Sequence, residues 1–273
     1  VGALKHLLGD LGVRYDILSG ISVGSLNCGF LSMFPCGKEK EALEELLSIW
    51  TGLRGTKDIH VPWYKGVLWV LPLLWKTSLR NSSPLEKLVR RRLDVSASRS
   101  SGRELRVGAV SLTTGQYRVF DQNYSDLPSA ILASSSFPGI LKPVKMENEL
   151  WTDGGVRDIT PIQAAIDAGA TSIDIVVTSP LDGVGMGFDR TPNTLDLGIR
   201  VLDIMSDEIL LEDFTKTKLI NDLVLSGSAP DKKYIPLRLL APSRILTTDP
   251  MSFDPKVTLD LIEEGYRDAS KFF

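Results

Sequence analysis

Gly20-Ile21-Ser22-Val23-Gly24 sets a serine between two glycines, after the short apolar run 15–19 and before the small-residue stretch 25–34. The G-x-S-x-G pattern alone occurs often by chance. Between a strand and a helix it describes a turn that pushes a nucleophilic hydroxyl out of the end of a sheet. Such a turn strains the serine backbone, and glycines at positions 20 and 24 remove Cβ atoms that would crowd it. The following helix aims its positive N-terminal end at the hydroxyl, making the Val23 N–H one donor for an oxyanion. The same residues also read as a glycine-rich turn with an incidental serine. Ser25, the competing hydroxyl, falls in the first turn of the helix.

A serine hydroxyl needs a base to act as a nucleophile. The chain holds two histidines, His6 and His60. His6 lies ahead of Ser22 in an opening helix and His60 in a loop, whereas an α/β-hydrolase carries its histidine late in the chain. A Ser-His-Asp triad is therefore disfavoured, and a carboxylate must take the proton directly. Asp153 stands at a strand end followed by Gly154 and Gly155, which exposes an acid at a sheet edge and lets another segment approach closely. A carboxylate in a dry site gains the basicity this task needs. An Asp-Gly turn acid that caps backbone amides fits the same residues equally well. Asp158, Asp16 and Asp121 are weaker candidates, with turn or strand-edge explanations.

The elements that must position these residues follow from periodicity and punctuation. A helix over 1–8 closes at 9–12, and a strand over 15–19 leads into the turn. Helices follow over 25–34 and 38–51, the latter with a stripe of Leu43, Leu46, Leu47 and Trp50. Ser83 and Pro84 cap and open another helix. Runs over 105–112 and 116–120 around Thr113-Thr114-Gly115 form a β-hairpin. A helix over 127–133 precedes Ser134-Ser135-Ser136, and a strand end over 150–152 runs into Asp153. Thr160-Pro161 caps a helix to Ala168, and strands occupy 172–178 and 234–240. Long helices span 195–225 and 255–271. Strands alternating with helices imply an α/β sheet that is mostly parallel, in one domain over 1–273.

Composition limits the partners. A net charge of −3 provides no bulk positive field for nucleic acid. The two cysteines, Cys28 and Cys36, form no zinc pattern; Cys28 reads as a free buried thiol, and no disulfide is expected. The apolar segment 61–79 includes Trp63, Trp69 and Trp75 but is broken by Lys65, Gly66 and Pro72, so it is no membrane span. It is either a core-covering segment or a lid that touches lipid, since tryptophan favours the headgroup boundary. Arg90-Arg91-Arg92 end a helix and complement its dipole; phosphate binding is the alternative. No secretory signal opens the chain, which points to a cytoplasmic or peripheral membrane location.

Together these segments resemble the patatin-like phospholipase family. Gly20-Ile21-Ser22-Val23-Gly24-Ser25 looks like its nucleophile elbow and Asp153-Gly154-Gly155 like its acid motif. The run 133–139 with Pro143-Val144 is similar to the family's segment ahead of that acid, and Ser83-Pro84-Leu85 and 262–266 look like bacterial-type members. The resemblance implies a three-layer α/β/α fold with a mostly parallel central sheet, a Ser22–Asp153 dyad, and hydrolysis of fatty-acyl esters in phospholipids or neutral lipids. It implies neither metal nor cofactor, and a lipid or membrane-surface partner. The family's glycine-rich oxyanion loop precedes the helix that here begins near Val1-Gly2, so the second oxyanion donor is expected upstream of Val1. Two other readings stay open: an impaired lipid-binding protein with the same fold, and an acyltransferase using the same dyad.

Overall fold

A computed structural model describes residues 1–63, 76–180, 191, 194–246 and 253–272. The chain opens on α1 (Gly2–Leu4), continued by a π-helical turn over Lys5–Asp10. There follow β1 (Ile17–Gly20), α2 (Val23–Leu31), α3 (Glu39–Thr51), β2 (Val61–Pro62), β3 (Arg80–Asn81), α4 (Ser83–Arg92) and α5 (Val95–Ser100). Next come β4 (Glu104–Ser111), β5 (Tyr117–Phe120), α6 (Leu127–Ser134), β6 (Val144–Met146), β7 (Glu149–Asp153) and α7 (Ile162–Asp167). The last elements are β8 (Ile173–Val176), α8 (Thr194–Leu225), β9 (Leu237–Leu240) and α9 (Pro255–Phe272).

Helices cover both faces of the sheet, the three-layer α/β/α arrangement that the family resemblance implies. The β1–β4 register pairs Leu18 with Leu105 and Ser19 with Arg106. Leu18, Leu105 and Val107 belong to the main core, packed with Leu26 and Phe30 of α2 and Ile131 of α6. Each such fully buried Leu or Val contributes about 1.5–3 kcal/mol of burial. On the opposite face the Ser19 hydroxyl donates to the Pro161 carbonyl at the head of α7, 3.1 Å away. Parallel pairing holds in β1–β4 and β8–β9, while β4–β5, β4–β7 and β6–β7 run antiparallel. Two of the antiparallel ladders are hairpins. In the β6–β7 turn Glu147 and Asn148 take φ of 50° and 66°, the left-handed pair a two-residue hairpin loop requires.

β4 organises the sheet. Val107 pairs with both Gly20 and Phe120, and Ala109 with both Arg118 and Asp153. A residue has one partner per edge, so β5 takes one edge of β4 while β1 and β7 share the other. β1 runs parallel to β4 and ends at Gly20; β7 runs antiparallel and ends at Asp153. The two strand ends therefore meet head-on beside Gly108, about 7 Å apart along β4.

Two expected helix caps are corrected. α4 starts one residue early, with Ser82 as its cap position, because Asn81 Oδ1 accepts from both the N–H and the hydroxyl of Ser83. α7 is headed by Pro161 without a side-chain cap, and Thr160 Oγ1 is buried with no hydrogen-bond partner. By contrast Asp126 does cap α6, accepting from Ser129 N–H. Cys28 and Cys36 are both free, and burial pushes the Cys28 thiol up to about 12.

The second strand pair is tied in by charge: Arg238 clasps Asp174 with two bonds of 2.6 Å, and Tyr15, just ahead of β1, donates to the same carboxylate. The segment 262–266 acquires a role, since α9 packs on α1. A Cβ on Gly2 would stand 2.0 Å from the Ile262 carbonyl oxygen, Lys5 pairs with Glu263, and Tyr266 donates to Asp10. Most of the apolar segment 61–79, including Trp69 and Trp75, lies outside the described residues. Trp63 is described, and its indole donates to the Ser78 carbonyl. Among the described residues no helix is long and apolar enough to cross a membrane.

Candidate active site

Ser22 lies between β1 and α2, after Ile21, with φ 55° and ψ −129°. The other described non-glycine residues with positive φ are the two in the β6–β7 turn. Left-handed backbone at a serine costs about 1–3 kcal/mol, so surrounding bonds must enforce it. Gly20 is required sterically: a Cβ there would stand 2.5 Å from the carbonyl carbon and oxygen of Gly24. Gly24 is not, because a Cβ on it would meet nothing within 4 Å. The expectation that both glycines relieve crowding is corrected for Gly24, since the turn folds Gly24 backbone onto Gly20 and not the reverse.

The Ser22 hydroxyl makes no capping bond to α2 and so is not consumed by the helix it precedes. Ser25, in contrast, is fully buried and donates to the Ser22 carbonyl at 2.6 Å, which removes it as a competing nucleophile. Val23, 40% exposed, contributes the first N–H of α2, one of those a helix leaves without an intrahelical acceptor.

Asp153 is 3% exposed at the end of β7. Its Oδ1 accepts from Gly155 N–H at 2.8 Å, and its Oδ2 is buried without a hydrogen-bond partner. Burial pushes the carboxyl up to about 7, while the Gly155 N–H and the Ser22 hydroxyl pull the other way. The hydroxyl thus lies near enough to favour the ionised form, though off hydrogen-bond geometry. Both glycines after Asp153 are sterically constrained. A Cβ on Gly154 would stand 2.5 Å from the Gly108 carbonyl oxygen, and one on Gly155 would stand 3.0 Å from Ile159 Cδ1.

The segment leaving α6 holds both residues. Ser22 N–H donates to the Ser134 carbonyl at 3.1 Å and to its hydroxyl at 3.2 Å. Two residues on, the Ser136 carbonyl accepts from Asp153 N–H at 3.1 Å and from the Thr152 hydroxyl at 2.7 Å. One strap therefore fixes both main chains, and the Ser22 N–H, spent on Ser134, is not free for a substrate oxygen. Sequence reasoning singled out this segment by resemblance but gave it no role. Its signal was three consecutive serines ending an apolar helix, all three buried here.

The remaining candidates have other partners. His6 pairs with Asp10, and no histidine contributes to the surroundings of the Asp153 carboxyl. Asp16 accepts from the Cys36 thiol and Asp121 from Asn123 N–H within a turn. Asp158 is pushed up to about 6, first by burial, with the nearby Tyr117 hydroxyl opposing the rise and the Asp213 charge adding to it. Tyr117 lies against Gly108 from β5, its hydroxyl in the space a Cβ on Gly108 would need.

A family model described as patatin-like phospholipase matches residues 1–166. Among solved structures, the chain is similar to that described as the crystal structure of VipD from Legionella pneumophila, with a TM-score of 0.42 and 11% sequence identity. That match covers 99% of this chain and 63% of the other, so this chain spans less than two thirds of that one's length.

Proposed function

The chain belongs to the patatin-like phospholipase family, and on that premise we propose that it is a serine lipid acyl hydrolase working through Ser22 and Asp153. In this reading Asp153 Oδ2 accepts the Ser22 proton as Ser22 Oγ attacks the carbonyl carbon of a fatty-acyl ester. The tetrahedral oxyanion is stabilised by the Val23 N–H at the positive end of α2. Collapse breaks the ester bond, the proton on Asp153 passes to the leaving alcohol, and the acyl group stays on Ser22. Water, giving its proton to Asp153, then attacks the acyl carbon; the bond to Ser22 Oγ breaks, Asp153 returns the proton to Ser22, and the fatty acid is freed.

One observation carries this reading: a buried carboxylate oxygen with no hydrogen-bond partner, on an acid whose pKa burial raises toward neutral, near a serine held at positive φ. A structural turn acid would spend both oxygens on amides; here one is spent and one is left. Such a base must be ionised to act. With its carboxyl at about 7, kcat/KM on a soluble short-chain ester is expected to fall about tenfold per unit as pH drops below that value, and to level off above it. A flat profile between about pH 5 and 9 would take Asp153 out of the role.

The strap supplies a second check. Ser134→Ala keeps the carbonyl acceptor of the Ser22 N–H but loses the hydroxyl one, so kcat is expected to drop about fivefold at unchanged KM. Ser136→Ala should change kcat less, because the Ser136 hydroxyl bonds the Leu132 carbonyl and touches neither reacting residue. Steady-state kinetics of the two variants checks the difference in size.

A further inference from the structure

Arg90, Arg91 and Arg92 are consecutive but not equivalent. Arg90 binds Glu86 at 3.1 Å, Asp126 at 3.3 Å and the Ser129 hydroxyl at 2.8 Å. Arg92 binds Glu45 at 3.0 Å and the Ser48 hydroxyl at 2.7 Å. Among the described residues Arg91 has no carboxylate within ion-pair distance. The same holds for Lys87, one turn earlier on α4, and for the guanidinium of Arg54, beyond the end of α3.

These three cations, without an ion pair among the described residues, line one cleft of about 430 Å³ between the end of α3 and α4. Arg92 also lines it, and the one carboxylate in its wall, Asp58, accepts from the Arg54 backbone N–H at 2.7 Å. An adjoining cleft shares Lys87 and Arg91. Helix-dipole complementarity accounts for arginines in the last turn of α4. It does not account for Lys87 in mid-helix, nor for Arg54 on a separate segment. Like charges four residues apart on a helix repel, and a third across a concave surface adds to that repulsion. On a chain of net charge −3, a local excess of positive charge around a cavity of this size is what an anion site requires.

We propose that this cleft binds a phosphate group, carried either by a soluble phosphate compound or by a lipid headgroup. Guanidinium forks at Arg54 and Arg91 match phosphate oxygens in two-bond geometry, and Lys87 adds a point charge to the same wall. The site stands on its own whether or not the Ser22 reading holds.

The test titrates the whole chain with inorganic phosphate in a calorimeter. In parallel, its sedimentation is followed with phosphatidylcholine vesicles, with and without phosphatidic acid. Saturable phosphate binding on the order of millimolar or tighter is expected, weakening at least about tenfold in Lys87→Gln/Arg91→Gln. Arg118→Gln, a distant exposed cation, should leave it unchanged. Binding of free phosphate lost in the double variant supports a soluble ligand. Phosphatidic-acid-dependent sedimentation lost in that variant, without free-phosphate binding, supports a lipid headgroup. Neither kind of binding, or binding that the double variant retains while circular dichroism shows it folded, overturns the proposal.

Discussion

Replacing Ser22 with alanine is expected to lower acyl-ester turnover by about 10⁴-fold or more while leaving the fold intact. The fold should survive because the bonds that hold position 22 are made by its backbone: its N–H donates to Ser134 and its carbonyl accepts from Ser25. Labelling by a fluorophosphonate adds an independent readout. The wild-type chain should be modified at Ser22 and the variant should not. An unlabelled wild-type chain would favour a lipid-binding protein over a hydrolase, and unchanged turnover in the variant would end the assignment.

Asp153→Asn is expected to lose activity on the same scale, with an added thermodynamic signature. The carboxyl stands near 7 in the folded chain against 3.8 for the free group. A raised carboxyl pKa means that the folded state keeps its proton longer than the unfolded one. Between about pH 4 and 7 the unfolded chain ionises first, so stability falls as pH rises, and the full penalty is carried above 7. Asparagine stays neutral throughout. The variant is therefore expected to gain stability over wild type at pH 8, on the order of a few kcal/mol, and to lose that advantage near pH 4. Urea unfolding at the two pH values measures it; equal pH dependence in both chains would contradict the buried-acid account.

The second large effect lies away from the chemistry. Arg103 and Glu39 form a buried ion pair at 3.0 Å, with side chains 3% and 9% exposed. The guanidinium also donates to the Phe34 carbonyl at 2.6 Å, the Tyr15 carbonyl at 2.5 Å and the Pro35 carbonyl at 3.4 Å. Glu39 in turn accepts from Gly37 N–H. One side chain thus joins the entry to β1, the turn after α2 and the start of β4. Arg103→Ala leaves the buried Glu39 carboxylate without its cation and three carbonyls without their donor, and should destabilise the chain by about 3–5 kcal/mol. Denaturant unfolding checks this. A loss under about 1 kcal/mol would mean that water replaces the guanidinium there.

Local signals carried much of the fold. The strand before Ser22, the β4–β5 hairpin around Gly115, α6, and the long helices near 195–225 and 255–271 all read from periodicity and turn residues, and the structure has them within a few positions. The strained turn at Ser22 was legible because an elbow is a contiguous motif. What the local pattern could not carry is which edge of β4 each strand takes. That β1 and β7 share one edge depends on hydrogen bonds between segments far apart in the chain, and so does the strap from Ser134 to Ser136. Arg103 was likewise invisible, since its four acceptors, at Tyr15 and within 34–39, lie more than 60 residues away in the chain. The caps at Ser83 and Thr160 failed for a related reason. The Ser83 hydroxyl donates to Asn81 instead of accepting from the helix, and the hydroxyl of Thr160 found no amide.

The meeting of two strand ends beside Gly108 has a bearing on how the site is assembled. Thr152 and its strap acceptor Ser136 are 16 residues apart, whereas Ser22 and Ser134 are 112 apart. The acid and its strap can form from neighbouring chain, while docking the serine requires closing a far longer loop, which slows folding. A partly folded chain would then hold Asp153 without Ser22 beside it, and under the proposed function ester hydrolysis would begin only once that long-range closure is complete.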